Sequence, residues 1–414
     1  MPSDNEIRRG WLLILASCAG VACSSVVLPF YTLGALVKPL TAEFHWTRAA
    51  IQSAAAFSSG LGAISAPVIG AVIDRYGARW IALVGLLGLS VAFLFASQMD
   101  GNLWLLYAAY TAMAVLGAGT VPVTWTRAIA TSFFDQRGLA LGLTLTGTGI
   151  SAMLAPLYAV WLVEHVGWRG AYVGLGLLPV LVAGPLVYLG FKPVEPTPAR
   201  PIPNAKDTCA VAGLSLREAV SGRRFWTLLL SVLAIYLAVS GIVPNLIPLL
   251  TDSGMPAASA AQVQGFYGVA IIGGRVLIGY WIDRYWAPGV AAIALSLPVL
   301  GAFILAGPVR MGSAAFAAIL VGLAAGAELD LMSYLAARYF GMRHYAKIYA
   351  VLYSALAVAA GSAPYLFARI YDTTKSYRLA FFAAGGLFLV GALILLTLGP
   401  YPSFSQQSAP NAEV

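Results

Sequence analysis

Residues 70–79 read GAVIDRYGAR, a short charged turn between two long apolar runs, and this turn decides the fold class. Residues 279–285 read GYWIDRY, so the pattern G-x-x-I-D-R-Y returns in the second half of the chain. An internal repeat of this kind in an apolar chain predicts two related halves with a binding site between them, near the middle of a membrane.

The composition agrees with a membrane protein. The chain has 414 residues, of which 60% are hydrophobic and 10% are charged. A soluble domain has about 45–50% apolar and about 25% charged residues, so a soluble enzyme and a disordered chain are both excluded. Three cysteines imply no disulfide framework. No nucleophilic triad, metal-spaced cluster or phosphate loop is present in the sequence, so we expect no enzyme activity, cofactor or metal.

Twelve apolar runs are each long enough to cross a bilayer, which requires about 20 residues. They must be helical, because a backbone in lipid has to satisfy its own hydrogen bonds. The runs start near Trp11, Ala50, Trp80, Leu103, Gly138, Arg169, Phe225, Ala261, Pro288, Ser313, Ile348 and Leu379. The predicted fold is an all-α polytopic membrane protein with twelve transmembrane helices in two six-helix bundles.

The prolines and charges of residues 192–209 indicate a linker between the halves. We therefore expect an N-terminal bundle over residues 1–190 and a cytoplasmic linker over 191–223. A C-terminal bundle over 224–400 and a cytoplasmic tail over 401–414 complete the predicted organisation.

The charged loops predict the orientation in the membrane. With twelve spans, sixteen of the 24 Lys and Arg residues fall on the side of the termini and seven on the other side. The positive-inside rule then places both termini in the cytoplasm of a multi-pass cell-membrane protein. The net charge of +8 is explained by these loops, and no nucleic-acid partner is expected. The pattern leaves the oligomeric state open.

The first turn resembles the signature of the major facilitator superfamily, G-x-x-x-D-R-x-G-x-R, and the resemblance extends over the whole chain. Residues 133–143, 216–227 and 274–280 further resemble the monocarboxylate and oxalate–formate branch. That branch implies a carrier of small organic anions, coupled to protons or working by anion exchange.

In the family, the signature turn latches the two halves on the cytoplasmic side. The resemblance implies this gating role for the residues of both turns, namely Gly70, Asp74, Arg75, Gly77, Arg79, Asp283 and Arg284. The alternative is a plain basic turn that only sets topology and contacts anionic headgroups.

Three charged residues remain inside predicted spans: Arg275 in span eight, and Glu328 and Asp330 in span ten. A charge at the bilayer centre costs at least about 2.5–3.5 kcal/mol, so each needs a reason. Arg275 and Asp330 lie at similar depth, roughly 12 Å from the loops that follow them. They are therefore expected to face each other.

Arg275 is the predicted holder of the substrate carboxylate. A guanidinium stays charged and matches a carboxylate with two parallel hydrogen bonds. The branch also places its substrate-binding arginine at this position. The alternative is a structural salt bridge to Asp330 without a ligand role.

The two acids of span ten are predicted to lie on different faces, because two helical residues differ by about 200°. Asp330 and Tyr334 are assigned to the cavity, and Glu328 is assigned to the packing between helices. A carboxyl buried without a partner favours its neutral form. Asp330, or alternatively Glu328, is therefore the candidate for carrying a co-transported proton.

Further polar and aromatic residues of the spans are candidates for lining a substrate cavity. They are Tyr31, Tyr334, Trp125, Thr124, Asn245 and Tyr353. The chain departs from the branch in three ways: the middle of span eleven has no lysine, Ile271 stands where animal carriers have an acid, and Tyr31 stands around the place of their span-one lysine. One arginine suits one carboxylate, so the departures favour a monocarboxylate and leave the coupling scheme open.

The sequence thus predicts a secondary carrier of a small monocarboxylate, working by proton symport and alternating access in the lipid bilayer. An aromatic or other larger organic acid, or organic-anion exchange, are alternatives within transport. A non-transporting membrane sensor that binds an anion is the alternative from a different class. Binding without concentrative uptake would distinguish the sensor.

Overall fold

The computed structural model describes residues 4–133, 136–191, 213–282, 284–341 and 343–402. Within these ranges the regular structure is α-helical, apart from a 3-10 turn at Ala118–Thr120, a π segment at Pro179–Ala183 and an isolated bridge, and turns and loops join the helices. The helices are α1 (Asp4–Ala22), α2 (Leu28–Phe44), α3 (Arg48–Gln52), α4 (Ala54–Tyr76), α5 (Ala78–Ala96), α6 (Leu103–Leu116), α7 (Pro122–Ser132), α8 (Arg137–Leu178), α9 (Gly184–Gly190), α10 (Leu216–Ser221), α11 (Arg223–Asp252), α12 (Ala257–Ile282), α13 (Ala287–Ala306), α14 (Met311–Phe340), α15 (Tyr345–Thr374) and α16 (Arg378–Leu396).

These helices form twelve spans, and the predicted fold is confirmed. In the described ranges, eight helical stretches are long and apolar enough to cross a membrane. One of them, Arg137–Gly190, contains spans five and six. The chain reverses inside it at Gly167, whose φ of 72° is a backbone conformation that glycine adopts without strain.

Spans one, two and four are each made of two helices. The break lies near the middle of spans one and four and close to one end of span two. Span one breaks between α1 and α2, span two between α3 and α4, and span four between α6 and α7. The hydroxyl of Thr120 accepts from the backbone N–H of Ser25 at 2.9 Å and donates to the carbonyl of Gly117. Irregular backbone at membrane depth requires such buried partners.

The two halves meet mainly where α12 packs against α8 and where α15 packs against α3 and α4. Glycines allow this close approach: a Cβ on Gly268 would lie 2.3 Å from the backbone nitrogen of Met153. Within the second half, α12 packs most extensively against α14. In lipid no hydrophobic effect drives helices together, so close van der Waals packing between small residues stabilises such interfaces.

Candidate functional site

A cavity of about 140 Å³ lies between the two halves. The first half contributes residues of α2, α4, α7 and α8, and the second half contributes residues of α11, α12, α14 and α15. Most of the wall is apolar or aromatic, and a few polar groups interrupt it. The polar and aromatic lining residues are Phe30, Tyr31, Ser59, Thr148, Tyr236, Ser240, Tyr267, Arg275, Glu328 and Tyr353.

Arg275 is the cation of this wall. Its side chain is only 7% exposed, and its Nη1 lies 3.8 Å from an Asp330 oxygen. Its Nη2 donates to the Thr148 hydroxyl at 3.4 Å, and Thr148 belongs to the other half. Among the described residues, Nε and Nη1 have no hydrogen-bond partner. The guanidinium therefore bridges the halves and still offers donors to an anion.

The two acids of α14 differ from their predicted places in the cavity, although Asp330 faces Arg275 as expected. Glu328 lines the cavity and is 4% exposed, whereas Asp330 has a side chain 39% exposed and is not part of the wall. Close packing of Gly322 and Gly326 against the α12 backbone sets the rotation of α14. Consequently the face of α14 that carries Ala325, Glu328 and Leu329 points into the cavity. The prediction that assigned Glu328 to the packing between helices was wrong.

Tyrosines surround Glu328. Tyr31, Tyr236 and Tyr267 all lie close enough to its carboxyl for electrostatic interaction. The rings of Tyr31 and Tyr267 are 6.3 Å apart. The prediction had included Tyr31 but missed Tyr267, which is eight residues before Arg275. That spacing places both residues on one face of a helix and could have identified it.

Four of the predicted lining residues lie outside the cavity wall. Trp125 is fully buried, donates from Nε1 to the Thr120 carbonyl and packs against Gly20. Thr124 next to it is also fully buried. Tyr334 is partly buried, and the guanidinium of Arg338 lies 5.9 Å from its ring.

Asn245 is the fourth predicted lining residue that lies outside the cavity wall. Its Nδ2 donates to the carbonyls of Gly241 and Pro364, and its Oδ1 accepts from Gln52 of the other half at 3.4 Å. Asn245 therefore joins helices. Polar residues of a buried span can bind main-chain carbonyls of neighbouring helices, as Asn245 does at Pro364 and as Gln52 does at the Pro244 carbonyl that Pro248 leaves free.

On the side away from the termini, hereafter the far side, a polar cluster joins the halves. Arg48 of α3 contacts both carboxylate oxygens of Asp252 at 2.5 and 3.0 Å, and its guanidinium lies 3.9 Å from the Tyr371 ring centre. Asp372 accepts from the backbone N–H groups of Arg48 and Ala49. The sequence analysis missed this cluster, because no spacing along the chain brings these ends together.

The residues of the two signature turns are described only in part. Asp283 lies outside the described residues, and so does the side chain of Asp74, while Gly70 is described only as part of the α4 backbone. Gly77 has a φ of 80°, which favours glycine in this tight turn.

The arginines of these turns contact their own halves. Arg75 lies over the ring of the adjacent Tyr76, Arg79 donates to the carbonyl of Tyr188 at 2.9 Å, and Arg284 lies 3.5 Å from the ring centre of Tyr280. The latch between halves stays a prediction.

Comparisons of the chain with a family model and with curated proteins both identify membrane transporters. The model of the Major Facilitator Superfamily matches residues 10–364. Monocarboxylate transporter 11 of Homo sapiens is 28% identical over 411 residues, covering 94% of this chain and 83% of the relative. Monocarboxylate transporter 13 of Bos taurus is 26% identical, covering 98% and 92%. The gallate transporter of Pseudomonas putida is 25% identical over 324 residues, covering 69% of each.

Among solved structures, a bacterial homolog of the human lysosomal transporter Spinster, in an inward-facing and occupied conformation, has the same fold. The TM-score is 0.65 at 16% identity, with 94% of this chain and 95% of that chain covered. At this identity the likeness concerns the fold alone.

Proposed function

The chain belongs to the major facilitator superfamily, and from this premise we propose that it carries small monocarboxylate anions across the cell membrane by proton symport. As a member of a transporter family it is a multi-pass membrane protein that moves a small molecule. The monocarboxylate transporters among its relatives support the anion as the substrate class.

The observation that carries the proposal is the state of Arg275. A guanidinium buried in a cavity between the halves, with Nε and Nη1 unpartnered among the described residues, offers charge-assisted hydrogen bonds to a carboxylate. Among the described residues, no other Lys or Arg lines the cavity. One cation favours one carboxylate over a dicarboxylate.

The size of the cavity supports a small substrate. Its volume of about 140 Å³ is close to that of an engineered protein cavity of about 150 Å³ that accommodates benzene. A carboxylic acid with a short chain or a single ring fits this space.

Asp330 is the proposed proton acceptor. Its carboxylate lies 3.8 Å from Arg275 Nη1, at the edge of ion-pair distance, so it balances the guanidinium charge when no anion is bound. Protonation of Asp330 removes that balance and frees Arg275 for the substrate carboxylate. Proton and anion then cross together. In an anion exchanger, Asp330 would instead remain a structural partner of Arg275.

We further infer that the substrate reaches the cavity by alternating access. The far side is closed by the Arg48–Asp252 pair, which supports a state open toward the termini. The excess of basic residues on the side of the termini supports placing the termini in the cytoplasm. The proposed units are a bundle over 1–190 and a bundle over 224–400, with a linker over 191–223 and a tail over 401–414.

The test is uptake of labelled monocarboxylates by the protein in liposomes, with and without an inward acid gradient. Gradient-dependent uptake that is lost in Arg275→Lys supports symport and the carboxylate contact together, since lysine keeps the charge and loses the planar pair of donors. Uptake that requires internal anion instead of a gradient would indicate exchange. Binding without accumulation would indicate a sensor.

An aromatic acid is the second candidate. Five of the lining residues are aromatic, namely Phe30, Tyr31, Tyr236, Tyr267 and Tyr353, and rings of this kind stack against a planar substrate. The relationship to a gallate transporter agrees with this candidate. Benzoate in the substrate panel tests it directly.

A further inference from the structure

Glu328 has no part in the mechanism proposed above, although it occupies the cavity wall. We propose that Glu328 and the tyrosines around it form a second polar subsite that receives a hydroxyl group of the substrate, so that the carrier selects hydroxylated monocarboxylates. This inference rests on the proposed function, because it requires Arg275 to hold the carboxylate at the other subsite.

The subsite is built from buried groups. Glu328 is 4% exposed and faces the cavity, and its Oε1 has no hydrogen-bond partner among the residues that the structure describes. In the described part of the chain, no Lys, Arg or His lies within ion-pair distance of its carboxyl. The phenols of Tyr31, Tyr236 and Tyr267 are its polar neighbours.

The two subsites are held at a fixed separation. Arg275 lies on α12 and Glu328 on α14, the pair of helices with the most extensive packing in the described residues. A Cβ on Gly274 would lie 2.3 Å from the Leu323 carbonyl oxygen, and one on Gly326 would lie 2.2 Å from the Ile271 carbonyl oxygen. Helices in such close contact keep the substrate's two polar groups at one spacing.

The subsite formed by Glu328 and the three tyrosines favours a hydroxyl group of the substrate. A buried oxygen left without a donor costs about 1–3 kcal/mol, and a substrate hydroxyl removes that cost. An ionised Glu328 would be buried without a cation in the empty carrier, so its neutral form is favoured. A neutral carboxyl among neutral phenols suits a neutral hydroxyl. It gives no charge complement to an ammonium, and a plain carbon chain leaves its oxygen without a donor.

Discrimination by such a subsite is expected to be strong. A site that hydrogen-bonds a substrate hydroxyl rejects the analogue without it by up to about 10⁴–10⁵-fold, because its own polar groups stay unpaired. The tyrosines provide partial replacement partners here. We therefore expect a preference of at least about tenfold in kcat/KM for the hydroxylated member of a matched pair.

The experiment measures uptake by the full-length protein in liposomes for two matched pairs. These are propanoate with 3-hydroxypropanoate, and benzoate with 4-hydroxybenzoate. The expected result is a preference for the hydroxylated acid in at least one pair. Equal uptake within each pair would overturn the inference while leaving the proposed function intact. Absence of uptake of every acid would instead refute the proposed function.

Variants then assign the preference to one residue. Glu328→Gln keeps the shape and an acceptor oxygen, so the preference is expected to stay within threefold of the parent. Glu328→Leu removes the polar group, so the ratio is expected to fall to about one. Ser333→Ala, on the same helix but not among the residues that line the cavity, is the control and should leave the ratio unchanged.

Two further results would overturn the assignment. One is a preference that persists in Glu328→Leu. The other is parental uptake of alanine in preference to both three-carbon acids, which would mean that an ionised Glu328 receives an ammonium group. The parental ratio requires no variant, so poor folding of a variant leaves the inference testable.

Discussion

Closure of the far side depends on Asp252, and replacing Asp252 with asparagine is expected to open it. The Arg48 guanidinium contacts the two Asp252 oxygens at 2.5 and 3.0 Å, and the two side chains are only 11% and 25% exposed. Hydrogen bonds to charged groups contribute about 1.5–3 kcal/mol each, and asparagine retains part of the geometry without the charge. A net loss of about 2–3 kcal/mol corresponds to a shift of roughly 30–150-fold toward the far-side-open state.

The assay reads the accessibility of the cavity from the far side. Ser240, which lines the cavity, is replaced by cysteine in a background where the three native cysteines are removed. A membrane-impermeant maleimide is then applied on the far side, and the labelling rate measures the population that opens there. Asp252→Asn is expected to label at least about 30 times faster than the parent.

Lys38 provides the matched control. Its Nζ lies 3.0 Å from Asp252 as well, but its side chain is 42% exposed. Solvent screens such a pair to about 0–1 kcal/mol, so Lys38→Ala should change labelling by about fivefold at most. Equal labelling of Asp252→Asn and the parent would refute the reasoning that the Arg48–Asp252 pair holds this side closed.

Three other substitutions test the site. Arg275→Lys should reduce kcat/KM for monocarboxylate uptake roughly tenfold or more, because lysine keeps the charge but loses a charge-assisted hydrogen bond of about 1.5–3 kcal/mol; normal uptake would contradict the carboxylate contact. Asp330→Asn should abolish acceleration by an inward acid gradient in liposomes, and full gradient dependence would exclude Asp330 as the proton carrier. Trp125→Phe should lower the Tm of the purified protein, since its buried N–H bond contributes about 0.5–1.5 kcal/mol, and substrate affinity should stay within about twofold.

The sequence predicts the spans well, because length and hydrophobicity along the chain decide them. Arg275 was also predictable, since a charge at the bilayer centre needs a reason. The faces of α14 were not, because Gly322 and Gly326 rotate the helix through contacts with α12 that lie far away in sequence. The assignment of Glu328 failed for this reason.

Aromatic and polar residues of the spans were harder to place. Tyr31 and Tyr353 line the cavity, whereas Trp125 and Asn245 hold helices together. In the sequence, both groups are single aromatic or polar residues within apolar runs, and nothing around them separates one group from the other. Only the arrangement of twelve helices distinguishes a side chain that points into the cavity from one that satisfies a neighbouring carbonyl.

The contact of Asp372 with α3 has a consequence for how the sequence can change over evolution. Both carboxylate oxygens accept from main-chain N–H groups, at residues 48 and 49, while Thr47 caps the next one, at Ala50. Main-chain donors persist whatever side chain is present there, proline excepted. The hydrogen bond itself therefore does not depend on which side chain stands at Ala49, whereas it requires the carboxylate of Asp372, and the two positions are not expected to covary.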